Sequence, residues 1–288
     1  MSMPAPKRTD GAGGGPNGEP SGPYCWDTHI HLEQYGERAH ALVRESAAAG
    51  VAALVAVSMD LDSCERTAAL AAAHPGVVRP AYGFHPEQPL PEDAALNQLF
   101  AWMEQRAARG EMFAVGEVGL PYYTRTEAER SGAAFDEAPY VRLLERFVAF
   151  AARRDLPIAL HAVYEDAHKA LDVLERHGAR RAHFHWFKGD AEAVRRIVRL
   201  GAMASFTPDC LYDAETRPLL RAFPLSAMLT ETDGPWPFEG PYAGRETHPA
   251  MTRDVVAAIA EAHAIAPEAA AAALRSNAER LYGAYGGA

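Results

Sequence analysis

A chain of 288 residues with 28 basic and 38 acidic side chains, a net charge of −10, is too acidic for a broad electrostatic grip on duplex nucleic acid or an anionic membrane. A nucleic acid held locally by bound metal ions is compatible with that charge, because such ions are the largest charges in a site. Hydrophobic content of 48% and charged content of 23% fit an ordinary globular enzyme of one large or two small domains, and no apolar run is long enough to span a bilayer.

Residues 1–23 are rich in Gly and Pro and nearly devoid of large apolar side chains. They lack the apolar centre of a secretory signal and read as a disordered tail ahead of a folded domain over residues 24–288. Cys25, Cys64 and Cys210 are odd in number and far apart, which suggests neither a disulfide framework nor a zinc ribbon and fits a reducing cytoplasm. No obligate protein partner is expected.

From residue 24 onward, short β-rich runs alternate with amphipathic segments. The first strand ends in Asp27-Thr28-His29-Ile30-His31, where alternation puts Asp27, His29 and His31 on one face. A helix is expected over 36–50, then a continuous apolar strand over 51–58 (VAALVAVS), as in a strand buried on both faces. A helix reaching residue 73 stops at His74-Pro75-Gly76, and strand three runs over 77–85. Leu96, Leu99, Phe100 and Met103 repeat at helical spacing up to Gly110. Strand four is 112–120. Residues 121–137 show no strong period and read as a long polar connection, a kind of loop that tends to be functional.

Val141, Leu144, Val148 and Ala151 mark the next helix. Strands five to eight are expected at 156–163, 181–187, 202–207 and 227–233, with helices at 166–177, around 194–198 and at 215–223 between them. A Gly/Pro/aromatic loop (234–248) and two Ala-rich helices (249–264, 267–282) close the chain. Eight strand–helix units over about 240 residues match a (β/α)₈ TIM barrel. The competitor is a doubly wound sheet, but no Gly-x-Gly-x-x-Gly follows the first strand.

The polar residues favour the barrel. His29 and His31, then His85, Glu117, His161, His185 and Asp233, fall at successive strand ends, which converge on one rim only if the sheet closes. Imidazoles mixed with carboxylates suit zinc, manganese, iron or cobalt better than magnesium or calcium. His29, His31, His161 and His185 with Glu117 and Asp233 make six ligands, more than one catalytic ion with an open position takes. Glu117, with two oxygens, is able to bridge a pair. His183 lies deeper on the same strand as His185 and reads as a satisfied core histidine. Trp186, Trp236 and Phe238 either stack on a base or wall the pocket, and Tyr122 and Tyr123 have similar standing.

The stretches DTHIH, GFHP, GEVGL, PIALH, HWFKG and ETDGPW, with the closing SNAERLYG, resemble the successive motifs of the TatD family of metal-dependent hydrolases, in the family's order over residues 27–236. The resemblance implies a (β/α)₈ barrel with two divalent metals and an activity such as metal-dependent 3′–5′ exonuclease action on single-stranded DNA. It implies His29, His31, Glu117 and Asp233 as ligands of one ion and Glu117, His161 and His185 as ligands of the other. Asp233 would also orient or deprotonate the attacking water. Asp27 is expected behind the ligands, and His85, Trp186, Lys188 and Trp236 at the substrate.

Two positions depart from the family pattern. Pro121 stands where an Asp is usual and Val163 where an Arg is usual; an Arg there would clamp phosphate with its planar fork. Lys188, Arg125 or Arg245 are the candidate substitutes. The alternatives to a phosphodiester are an ester, amide or lactone at the same dinuclear site, or a metal-stabilised barrel that binds a partner without turning anything over.

Overall fold

The structure, a computed structural model, describes residues 25–283; the expected tail at 1–23 lies outside the described residues. Strands β1 (Cys25–Ile30), β2 (Val51–Ala56), β3 (Val78–Tyr82), β4 (Ala114–Gly119), β5 (Ile158–His161), β6 (Ala182–Phe184), β7 (Met203–Phe206) and β8 (Met228–Thr230) lie side by side in chain order, all neighbours parallel. Helices α1 (Ala39–Ala48), α2 (Leu61–Ala73), α3 (Asp93–Ala108), α4 (Tyr122–Ser131), α5 (Ala138–Arg154), α6 (Glu165–His177), α7 (Ala191–Leu200) and α8 (Thr216–Ala222) connect them; α9 (Thr252–Ala262) and α10 (Pro267–Tyr282) follow β8.

The sheet closes between β8 and β1. Thr28 Oγ1 donates to the Thr230 carbonyl at 3.0 Å and Thr230 Oγ1 to the Trp26 carbonyl at 2.8 Å. Towards the C-terminal rim the Asp233 N–H donates to the His29 carbonyl (2.9 Å) and the His31 N–H to the Gly234 carbonyl (2.8 Å). This is the barrel, not the open sheet. Ala53, Val55, Val57, Ala81, Ala114, Ala159 and Leu229 form a small inner cluster with Ala278, Leu281 and Tyr282 of α10. Asn277 donates to the Leu225 and Met228 carbonyls (2.7 and 2.9 Å) where β8 begins, so α10 stoppers the N-terminal end and leaves the opposite end open. A larger apolar layer lies between strands and helices. Among the described residues no single helix is long and apolar enough to cross a membrane.

Several boundaries differ from expectation. The segment after β1 begins as a 3₁₀ turn, Leu32–Arg38, and α1 starts only at Ala39. Strands β3, β6 and β8 stop at Tyr82, Phe184 and Thr230, so His85, His185 and Asp233 stand on the loops just beyond them. The largest correction is 121–137: it contains helix α4, which buries none of its side chains. A helix without an apolar stripe leaves no 3.6-residue period to detect.

Candidate metal centre

Every residue expected as a ligand reaches the C-terminal rim, and all of them are buried. The two oxygens of Glu117 face two different donor sets. Its Oε2 lies 3.1 Å from Nε2 of His29 and 3.1 Å from Nε2 of His31, and Asp233 Oδ1 lies 3.3 and 3.5 Å from the same two nitrogens. Its Oε1 lies 2.9 Å from Nδ1 of His161 and 2.8 Å from Nε2 of His185. His85 adds Nε2 at 3.4 Å from Oε1, while its Nδ1 accepts the Glu87 N–H at 3.2 Å. His85 therefore points into the cluster and also satisfies its own loop.

This arrangement depends on how closely β4 and β5 approach. Gly119 is registered against His161, and a Cβ there would come within 1.9 Å of the His161 carbonyl oxygen. The Leu120 N–H donates to that same oxygen at 2.9 Å. The lack of a side chain at Gly119 thus lets Glu117 and His161 share one edge of the rim.

The cluster fits cations chemically. Asp233 Oδ1 is a buried acceptor with no hydrogen-bond partner, flanked by two imidazole nitrogens. Burial by itself disfavours charge on His29, yet Glu117 and Asp233 draw its pKa up to about 9. Burial pushes Glu117 upward, but the charges of His185, His85 and His29 outweigh it and hold the carboxyl well below its usual range. Carboxylates that pull positive charge this strongly, ringed by nitrogen donors, suit a divalent ion of the zinc, manganese, iron or cobalt type.

Behind the donors lies a buried polar layer. Asp27, one strand repeat deeper than His29, spends its carboxylate on Thr232. It accepts the Thr232 N–H at 3.0 Å and the Thr232 hydroxyl at 2.5 Å, tying down the loop that carries Asp233. Glu231, which the sequence reading overlooked, accepts the Trp186 N–H (2.6 Å) and the Ser205 hydroxyl (2.5 Å) and lies 3.6 Å from His185 Nδ1. It sits two residues before Asp233 in ETDGPW, a spacing that puts both on one face of an extended chain; that was the available signal. Glu87, also overlooked, stands in the loop after β3 with no periodic signal at all.

His183 is the satisfied core histidine expected. Its Nε2 is 2.6 Å from Ser205 Oγ and its Nδ1 2.7 Å from Tyr282 Oη. Since Ser205 donates to Glu231, Ser205 accepts from His183 Nε2–H, and Nδ1 accepts the Tyr282 hydroxyl. Burial first, then the charges of His29 and His185, hold His183 well below its ordinary pKa. The unfolded chain takes up this proton below about pH 6.5 and the native one does not. His183 therefore contributes stability that is full above about pH 6.5 and lost on acidification, at up to about 1.4 kcal/mol per pH unit. Urea unfolding between pH 7 and 5 should show one proton less of slope for His183→Gln than for the wild type; equal slopes would contradict the assignment.

The cluster floors a cleft of about 1000 Å³. Trp186 and Trp236 meet edge to face, 5.8 Å between centroids, and Trp236 is 57% exposed. Phe238 is buried with its ring 5.7 Å from that of Trp186, in a small apolar cluster with Tyr242 and Met251. Trp186 is anchored by Nε1–H donating to Asp209 at 2.6 Å. Lys188 lines the cleft but is held by Asp213 at 2.8 Å, with Asp209 at 3.6 Å. The other two candidate stand-ins for a phosphate-clamping arginine are engaged elsewhere: Arg125 with Glu137, Glu165 and Asp166, and Arg245 over the Tyr242 ring. Val163 lies on the cleft wall, and Pro121 is the residue from which α4 starts.

A closed (β/α)₈ barrel with imidazoles and carboxylates gathered at its C-terminal rim defines the class of metal-dependent barrel hydrolases. The chain belongs to the TatD family: the family model described as TatD related DNase matches residues 26–283. An uncharacterized metal-dependent hydrolase of Haemophilus influenzae is 36% identical over 215 residues, 75% of this chain and 82% of that protein. The human protein named deoxyribonuclease TATDN3 is 26% identical over 216 residues, 73% of this chain and 77% of its own. The crystal structure of YjjV, a TatD homologue from Escherichia coli, superposes with a TM-score of 0.76 at 27% identity, covering 90% of this chain and 98% of that one. Family membership sets aside the partner-binding alternative: the chain is a metal-dependent hydrolase.

Proposed function

We propose that this hydrolase uses two divalent ions bridged by Glu117 and that it cleaves a phosphodiester, its substrate being the 3′ end of single-stranded DNA or a small phosphodiester. What carries the reading is the division of Glu117, one oxygen towards His29 and His31 and the other towards His161 and His185. His29, His31, Glu117 and Asp233 would hold one ion, and Glu117, His161 and His185 the other. Ions bound there lower the pKa of water and offset charge on the scissile group and the departing oxygen. Asp233 orients the attacking water and takes its proton. Burial alone would push its carboxyl up, but His29 and the neighbouring imidazoles bring it below the ordinary value, in the basic form this role needs. Trp186 and Trp236 offer faces for a base, which binds without sequence preference. The human relative's name, deoxyribonuclease, supports the same substrate class. A cytoplasmic setting, with three buried and unpaired cysteines, completes the proposal.

A second reading, hydrolysis of a small ester, amide or lactone at the same site, draws on the cleft's charges. Among the described residues its lining cation is Lys188, already bound by Asp213, with Val163 where an arginine would reach the phosphate. Protein stripped with a chelator and reloaded with Mn²⁺ or Zn²⁺, assayed on 3′-tailed single-stranded DNA, an aryl phosphodiester, an aryl acetate and a γ-lactone, separates the two. Metal-dependent phosphodiester turnover is expected; turnover confined to carboxylic esters or the lactone would replace the first reading with the second.

A further inference from the structure

We infer that Glu87 is a positioning residue that orients His161 and couples it to helix α4 over the cleft, an inference that rests on the two-ion reading above. Its carboxylate meets two separate elements. Oε1 lies 3.2 Å from Nε2 of His161, the nitrogen opposite the one that faces Glu117 and His185. The same carboxylate accepts two amides from the first turn of α4, Tyr123 N–H at 2.8 Å and Thr124 N–H at 2.7 Å.

Each contact answers a need of its own element. The residue preceding α4 is Pro121, whose side chain has no acceptor for the orphan amides of the first turn. Glu87 caps them from 36 positions away. Because α4 buries none of its side chains, its location depends on polar anchors: Glu87 at its start, and Arg125 bonded to Glu165 and Asp166 of α6 further along. On the other side, a carboxylate at Nε2 selects the tautomer with the proton on Nε2 and leaves the Nδ1 lone pair for an ion. Ligating histidines commonly donate their other N–H to such a carboxylate, and losing that partner typically costs about 10–100-fold in metal affinity.

The consequence is a mechanical link. With an ion held by Glu117, His161 and His185, the His161 Nε2–H bond to Glu87 would strengthen, and Glu87 in turn holds the start of α4. That places Tyr123, whose ring lies 6.0 Å from the His161 ring and lines the cleft, over the substrate side of the site.

The test uses the full chain, stripped of metal, with Zn²⁺ affinity from chelator competition and amide exchange followed over α4. The wild type should bind Zn²⁺, and binding should slow exchange at Tyr123 and Thr124. Glu87→Ala should weaken one Zn²⁺ site 10–100-fold, and Zn²⁺ should no longer protect those two amides. Glu87→Gln keeps an amide acceptor but loses the charge, so it should retain part of the cap and still lose Zn²⁺ affinity. Should the alanine variant fail to fold, the glutamine variant decides alone. Wild-type Zn²⁺ affinity in these variants, or Zn²⁺-independent exchange of α4 in the wild type, would overturn the coupling while leaving the two-ion reading intact. A wild-type protein that takes up no metal would sink both.

Discussion

Glu117→Gln is expected to abolish turnover almost completely, by about 10³-fold or more, since bound ions lower the pKa of water from 15.7 to about 7 and the variant loses the group proposed to bridge them. The substitution is nearly isosteric, but it replaces one carboxylate oxygen by an amide nitrogen that cannot ligate a metal. Either the His29–His31 side or the His161–His185 side then loses its acceptor, because each oxygen serves one set. The variant also removes the negative charge at the centre of a buried ring of imidazoles. Elemental analysis should show fewer ions per chain in the variant than in the wild type. Full metal content with undiminished rate would eliminate the bridging role.

Gly119→Ala should do comparable damage without altering any ligand side chain. The added methyl would meet the His161 carbonyl oxygen at 1.9 Å and the atoms behind it, Cα included, within 3.0 Å. The obstacle is backbone, so relief requires β4 and β5 to separate. That movement breaks the Leu120–His161 hydrogen bond and pulls Glu117 away from His161. A loss of about 4 kcal/mol or more belongs to this kind of overpacked, strained position, which corresponds to a fall in Tm of roughly 10 °C for a domain of this size. Calorimetry of the metal-free variant isolates the packing effect, and Zn²⁺ titration of the same protein reads the effect on the site. Melting at the wild-type temperature would show that β4 and β5 can part at little cost.

The two variants mark the boundary between what could and could not be read from residue order. The alternation in DTHIH, the continuous apolar run at 51–58 and the recurrence of His, Glu or Asp at the ends of strands three, four, five, six and eight were enough to infer a barrel and to name its rim residues. Those signals are local: side-chain direction in a strand repeats every two residues whatever lies around it. Helix α4 was missed because it presents no buried stripe, and Glu87 because its partners, His161 and the amides of residues 123 and 124, lie 36 to 74 positions away. Lys188 looked available for a phosphate, yet folding places Asp209 and Asp213 against it.

By itself, then, the order of residues determined the eight strand–helix units and the chemical kind of donor at the ends of strands one, three, four, five, six and eight. Only the closed barrel decided that one carboxylate faces two groups of imidazoles, that Asp27 turns to Thr232 instead of the cluster, and that Glu87 reaches both a histidine and a helix start. The physical reason is range. Backbone periodicity acts over two to four residues, whereas pairing across a closed sheet joins side chains some 200 positions apart, as Asp27 and Thr232 are, and no short stretch of sequence contains both members of such a pair.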